Sequence, residues 1–325
     1  MLTNENPFSA KLPALFFSVC LLLILIVSAP AQKINHVQKT PLPFAEIYSK
    51  DLSADIVEQH NRAVEYAFEK KFDQAVVLFE RIVAAKPNFI EARYNLAVTH
   101  LNAARYDEAV TKFKSLIADK PDYAAAHAGL AETFLDAGRA AESAAAYRLA
   151  IRLDPKNAVY RIKCSTALHD AGNYAAALAE IDAAIRLAPD SPLAYNNKAV
   201  VLTSLERLDE AVANFEKAAE LDPSNAEVFN NLGVVSARLG KNKSAHKYYL
   251  KAAELRPDWS YVIYNLSLSY LQRGDRDAAL QHFNRLKKLD DELAQRLSKQ
   301  IYKNYIIDVA MTTERSNQSP VVPNH

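Results

Sequence analysis

Cysteine is nearly missing from this chain: of its 325 residues only Cys20 and Cys164 carry a thiol. Cys20 lies in an N-terminal stretch read below as removable, so the mature chain has no internal disulfide even in an oxidising compartment. Cys164 stands where other units carry leucine on a helix core face, which suits a small buried hydrophobe better than a reactive thiol. Glycine is scarce too, with six in all, and none forms a phosphate-cradling loop or a Gly-x-Ser-x-Gly elbow. The histidines (His36, His60, His100, His127, His169, His246, His282, His325) show no His-Glu-x-x-His or comparable ligand spacing. A formal charge of only +1 argues against the strongly basic balance of a nucleic-acid or anionic-membrane binder. The one late basic cluster, Arg273, Arg276, Arg285, Lys287 and Lys288, is interleaved with Asp275, Asp277, Asp290 and Asp291 and reads as a solvated face. No segment alternates with period two, so no sheet is expected. A convergent set of acid, base, nucleophile or metal ligands is not visible. The expectation is a non-enzyme with no metal and no cofactor.

What the chain does have is a period. Pro87, Pro121, Pro155, Pro189, Pro223 and Pro257 follow one another at a constant spacing of 34 residues, the mark of one supersecondary unit stacked repeatedly. Counting back gives seven units: 56–89, 90–123, 124–157, 158–191, 192–225, 226–259 and 260–293. The eighth position is always small (Ala63, Ala97, Ala131, Ser165, Ala199, Gly233, Ser267), and so is the twentieth (Ala75, Ala109, Ser143, Ala177, Ala211, Ala245, Ala279). The twenty-fourth is bulky: Phe79, Phe113, Tyr147, Ile181, Phe215, Tyr249 and Phe283. Small residues let two helix backbones approach, and a large side chain from the second helix fills the gap between them. Gly138, Gly172, Gly240 and Gly274 fall between the paired helices, where a left-handed residue is expected. The residue after each proline (Asn88, Asp122, Lys156, Asp190, Ser224, Asp258) is the expected N-cap, Lys156 apart.

These residues resemble the tetratricopeptide repeat family, whose Trp, Leu-Gly, Tyr, Ala, Phe and Pro pattern has this period. The sixth unit keeps it well, with Phe229, Leu232-Gly233, Ala245, Tyr249, Ala252 and Pro257. Departures are Arg62 and Lys198 in place of leucine at the seventh position, and Asp291 in place of the last proline. The resemblance implies an all-α fold, a right-handed superhelical solenoid of seven helix-turn-helix units. Its array would be closed by a capping helix over 291–309, where Leu293, Leu297, Ile301 and Tyr305 recur every four residues.

Outside the repeats, Lys11, the apolar run Leu12–Val27 and Ser28-Ala29-Pro30-Ala31 read as a secretory signal over 1–31, cut after Ala31. The alternative is a membrane anchor formed by residues 12–28. Residues 32–55 read as a connector carrying Pro41 and Pro43, and 310–325 as a disordered tail.

In each unit, first-helix positions 4, 7, 8 and 11 are expected to face the core, and positions 2, 5, 6, 9, 12 and 13 to form the neighbouring stripe. The resemblance implies that this second stripe lines a concave groove. Position 6 reads Asn61, Asn95, Gly129, Lys163, Asn197, Asn231 and Asn265. An asparagine amide donates and accepts together, so it can pair with any peptide backbone. The row is similar to the asparagine ladder of O-linked N-acetylglucosamine transferases, which implies an extended peptide ligand; repeat ancestry alone would also produce it. Tyr94, Tyr261 and Tyr264 are further candidate contacts, as recognition surfaces favour tyrosine. Position 5 carries His60 and Tyr94, and position 9 Val64 and Val98, where the family's carboxylate clamp would need Lys and Asn. The expected function is a scaffold that binds a peptide or a partner helix. The alternative is an accessory or regulatory subunit of a cell-envelope assembly or enzyme complex, using its convex face or C-terminal helix.

Overall fold

The computed structural model describes residues 44, 45 and 52–302. The proposed signal, its alternative as an anchor, Tyr305 and the tail all lie outside them. Among the described residues every regular element is helical. The chain divides into two compact units, one of which spans Asn35–Leu221 and the other of which holds Asp222–His325.

The first unit contains five helix pairs: α1 (Ala54–Phe68) with α2 (Phe72–Ala85), α3 (Ile90–Asn102) with α4 (Tyr106–Asp119), α5 (Ala124–Asp136) with α6 (Ala140–Leu153), α7 (Ala158–Asp170) with α8 (Tyr174–Leu187), and α9 (Pro192–Ser204) with α10 (Leu208–Leu221). The second contains α11 (Ala226–Arg238) with α12 (Asn242–Leu255), α13 (Ser260–Gln272) with α14 (Arg276–Leu289), and a last helix, α15, over 291–302. Inside each unit a first helix packs on its own second helix, and that helix packs on the first helix of the following repeat. In the first unit α1 also touches α3, α3 touches α5, and α7 touches α9.

The packing code reads out as predicted. Ala63, Ala97, Ala131, Ser165 and Ala199 are fully buried, as are Phe79, Phe113, Ile181 and Phe215 across from them. Each such aromatic or branched side chain contributes about 2 kcal/mol by leaving water. In the sixth repeat Tyr249 closes on bare backbone: a Cβ on Gly233 would lie 2.4 Å from its ring. Cys164 is fully buried, and burial pushes its thiol up to about 12.

Every pair is joined by one left-handed residue. Four are the glycines, with φ from +72° to +78°; the others are Lys70, Ala104 and Glu206, near +60°. The caps differ from expectation by one residue. Ser53, Asn157, Ser191 and Asn225 accept backbone N–H bonds as N-caps, while Phe89, Tyr123 and Trp259 hold that place without a side-chain bond. The polar residue after each proline instead belongs to the turn that precedes the cap.

The two departures at position 7 also have reasons. Lys198 is turned toward the preceding second helix and meets Asp182 at 2.8 Å. Arg62 belongs to the first repeat, where no earlier described helix covers it, and its Nε donates to the Tyr66 hydroxyl. At the other end, Leu293, Leu297 and Ile301 of α15 are buried against Ile263, Tyr264 and Leu286. Asp290 caps that helix by accepting from the Leu293 N–H at 3.0 Å.

Candidate peptide-binding face

The position-6 residues are not a free row of amides. Four of them, Asn95, Lys163, Asn197 and Asn265, reach back to a side chain on the first helix of the preceding repeat. Asn197, on α9, is 2% exposed and donates through Nδ2 to the Thr166 hydroxyl on α7 at 3.2 Å, while its Oδ1 accepts from Asn196. Asn265, on α13, donates to Asn230 Oδ1 on α11 at 3.0 Å. Lys163, on α7, pairs with Glu132 on α5 at 2.8 Å, and the Tyr147 hydroxyl donates to the same carboxylate. That charged knot is largely shielded from water, so each member depends on the others. Burial and the adjacent Glu132 charge push the Tyr147 phenol well above its usual range. Gly129, which breaks the row, is required by packing: a Cβ there would sit 2.4 Å from the Phe113 ring. Asn61 is exposed, and Asn231 is half-buried.

Asn95 is the exception that shows what the amide can do. It is fully buried on α3. Its Oδ1 accepts the Ala45 N–H at 2.7 Å, and its Nδ2 donates to the Ala45 carbonyl at 3.1 Å. The second Nδ2 hydrogen faces His60 Nε2 on α1 at 2.9 Å, which makes Nε2 the acceptor and fixes the imidazole tautomer. One amide therefore reads both polar groups of one backbone residue and no side chain. Next to it, the Phe44 ring lies 5.4 Å from Phe68 in an edge contact and 6.5 Å from Phe79 in a stacked one.

The predicted tyrosines divide. Tyr94 lies inside the helix packing, edge-on to Phe113 and Tyr123 at 5.8 Å each, so its ring is a core element. Tyr264 is also covered, by α15, with the Arg296 guanidinium 6.0 Å over its ring. Tyr261 remains 41% exposed. Sequence reasoning missed Phe44, Ala45 and His60. The available signal was an aromatic directly after Pro41 and Pro43 in the connector, and a histidine about one repeat before an asparagine.

One cluster matches a hydrolase triad atom for atom. His169 Nε2 lies 2.8 Å from the Ser204 hydroxyl and its Nδ1 3.2 Å from Asp170 Oδ1. Yet Ser204 is the last residue of α9, where helix carbonyls project. A developing oxyanion there would meet the negative end of the dipole instead of N–H donors. The cluster is a poor acyl-transfer site and a reasonable hydrogen-bonded seam between α7 and α9.

Tetratricopeptide repeat family models match residues 69–133, 103–161, 226–258 and 261–292, and a TPR repeat model matches 201–240. A comparison with curated protein sequences finds no match. Solved structures do resemble it. A tetratricopeptide repeat protein from Parabacteroides merdae is 13% identical with a TM-score of 0.62, over 77% of this chain and 100% of that one. Pseudomonas aeruginosa pilF is 20% identical with a TM-score of 0.56, over 65% and 97%. The APC/C hetero-tetramer Cut9–Hcn1 is 18% identical with a TM-score of 0.60, over 74% of this chain. The chain spans about half of that last structure's length, at 48%. At such identities the likeness concerns the fold. Repeats of this type are typical protein–protein interaction scaffolds, and the helix pairs, their period and these matches together establish that the chain carries tetratricopeptide repeats.

Proposed function

We propose that this chain is a non-catalytic scaffold that holds an extended segment of a protein partner on the first-helix face of its repeats. The observation that carries the reading is Asn95, whose amide pairs with both the N–H and the carbonyl of Ala45. This is recognition of a main chain irrespective of its side chain. Asn61, Asn231 and Tyr261 present the same residue types with access to solvent, and are the predicted contacts for a partner. Export after cleavage near Ala31 belongs to the same proposal, and N-terminal sequencing of the mature chain checks it; an intact N-terminus would favour the anchor.

The test is affinity capture from the native cell with the chain and its Asn61→Ala, Asn231→Ala, Tyr261→Ala variant. Capture should fall by roughly tenfold, the usual effect of removing a tyrosine anchor. The melting temperature should barely move, because Asn61 and Tyr261 are exposed and Asn231 is only half-buried. Capture that survives these changes but disappears on reversing Lys287, Lys288 and Lys299 would move recognition to the C-terminal helices. The envelope-subunit reading would then replace this one.

A further inference from the structure

The Asn95 site already has an occupant. We propose that the face formed by α1 and α3 is a binding site for an extended aromatic–small dipeptide, and that Phe44-Ala45 occupies it as a tethered, displaceable competitor. The inference rests on the scaffold reading and adds both a ligand pattern and a means of regulation.

Three observations carry it. First, the bonds to Ala45 are made through its backbone alone, so another extended chain can replace it without loss. Second, Phe44 covers its neighbour poorly: Phe68 stays 72% exposed despite the edge contact between the rings. The site is thus larger than what fills it, and a ligand that continues over Phe68 would bury more apolar surface. Third, Ala45 lies only nine positions before Ala54, the start of α1. A tether of that length holds the occupant at an effective concentration on the order of 1 mM. A free peptide with a dissociation constant on the order of 0.1 mM would then be weakened roughly tenfold by the internal copy.

The experiment uses the full chain and a fluorescent peptide of residues 41–48, Pro-Leu-Pro-Phe-Ala-Glu-Ile-Tyr. The comparison protein is the Phe44→Ala, Ala45→Pro variant, in which the tethered segment loses its ring and the N–H that Asn95 accepts. Anisotropy should show the peptide binding this variant roughly tenfold more tightly than the unaltered chain. A peptide carrying the same two changes should bind neither. Because the changes lie outside the helices, circular dichroism should confirm an unaltered fold. Equal affinity for both proteins would overturn the proposal, as would no binding to the variant, or equal binding of the altered peptide. The capture experiment above is independent of these residues. Partner capture lost there, with no unmasking here, would leave the scaffold reading standing and remove only the self-occlusion.

Discussion

Position 6 shows how one residue type serves two purposes. Asn197 and Asn265 staple successive first helices by bonding to Thr166 and Asn230. Asn95 does the same with His60 and still has capacity for a backbone residue. Spacing makes the row visible in the sequence, but spacing cannot say which amides are already engaged. Lys163 follows the same back-reaching geometry with a charge. Lys163→Met would leave the Glu132 carboxylate, 7% exposed, without its counter-ion. Urea unfolding should show a loss of about 3 kcal/mol. Adding Glu132→Gln should recover most of it, because the amide needs no cation and its oxygen still accepts from Tyr147. If the double variant is no more stable than the single one, the pair is not coupled as described.

At the scale of the element, the helix pairs were legible almost throughout. Small residues at positions 8 and 20 opposite a bulky one at position 24 require two helices in close antiparallel contact, and the coordinates agree repeat by repeat. The caps were displaced by one because the residue after each proline is spent on the turn that aims the next helix. Every turn within a helix pair uses a left-handed residue, yet Lys70, Ala104 and Glu206 have a Cβ there. Such a conformation costs a non-glycine residue roughly 1–2 kcal/mol, partly offset by glycine's greater freedom when unfolded. Ala104→Gly and Glu206→Gly should therefore each stabilise the fold by about 0.5–1 kcal/mol, read as a higher denaturation midpoint at unchanged slope. No gain at either site would mean that neighbouring contacts already favour the left-handed form.

Across the whole molecule, stability should depend on pH through buried and half-buried histidines. Burial holds His60, His100, His246 and His282 below the ordinary imidazole value of 6.5. The unfolded chain therefore takes up protons first as pH falls below about 6.5. Stability is fully present above that point and declines toward the lower folded-state values. Glu227, raised by burial, acts in the opposite sense, as a single group against four. Melting temperature should drop between pH 7.5 and pH 5.5, and His100→Gln should flatten the slope. A flat profile over that window would contradict the burial of these rings. Protonation of His60 would also place an N–H against Asn95 Nδ2, so the grip on Ala45 should loosen over the same range.

The sequence by itself determined the repeat, its period, the all-helical class and the residues that pack each pair, because these are local patterns that recur at fixed spacing. It also marked the face on which asparagines gather. Only the tertiary structure decided which of them remain available. Hydrogen-bond capacity is used up by whatever lies within about 3 Å, and such neighbours are set by packing between repeats and by a distant segment of the same chain. Asn95 meeting Ala45, fifty positions earlier, is of that kind: no periodicity encodes it, and two polar groups find each other only once the helices are stacked.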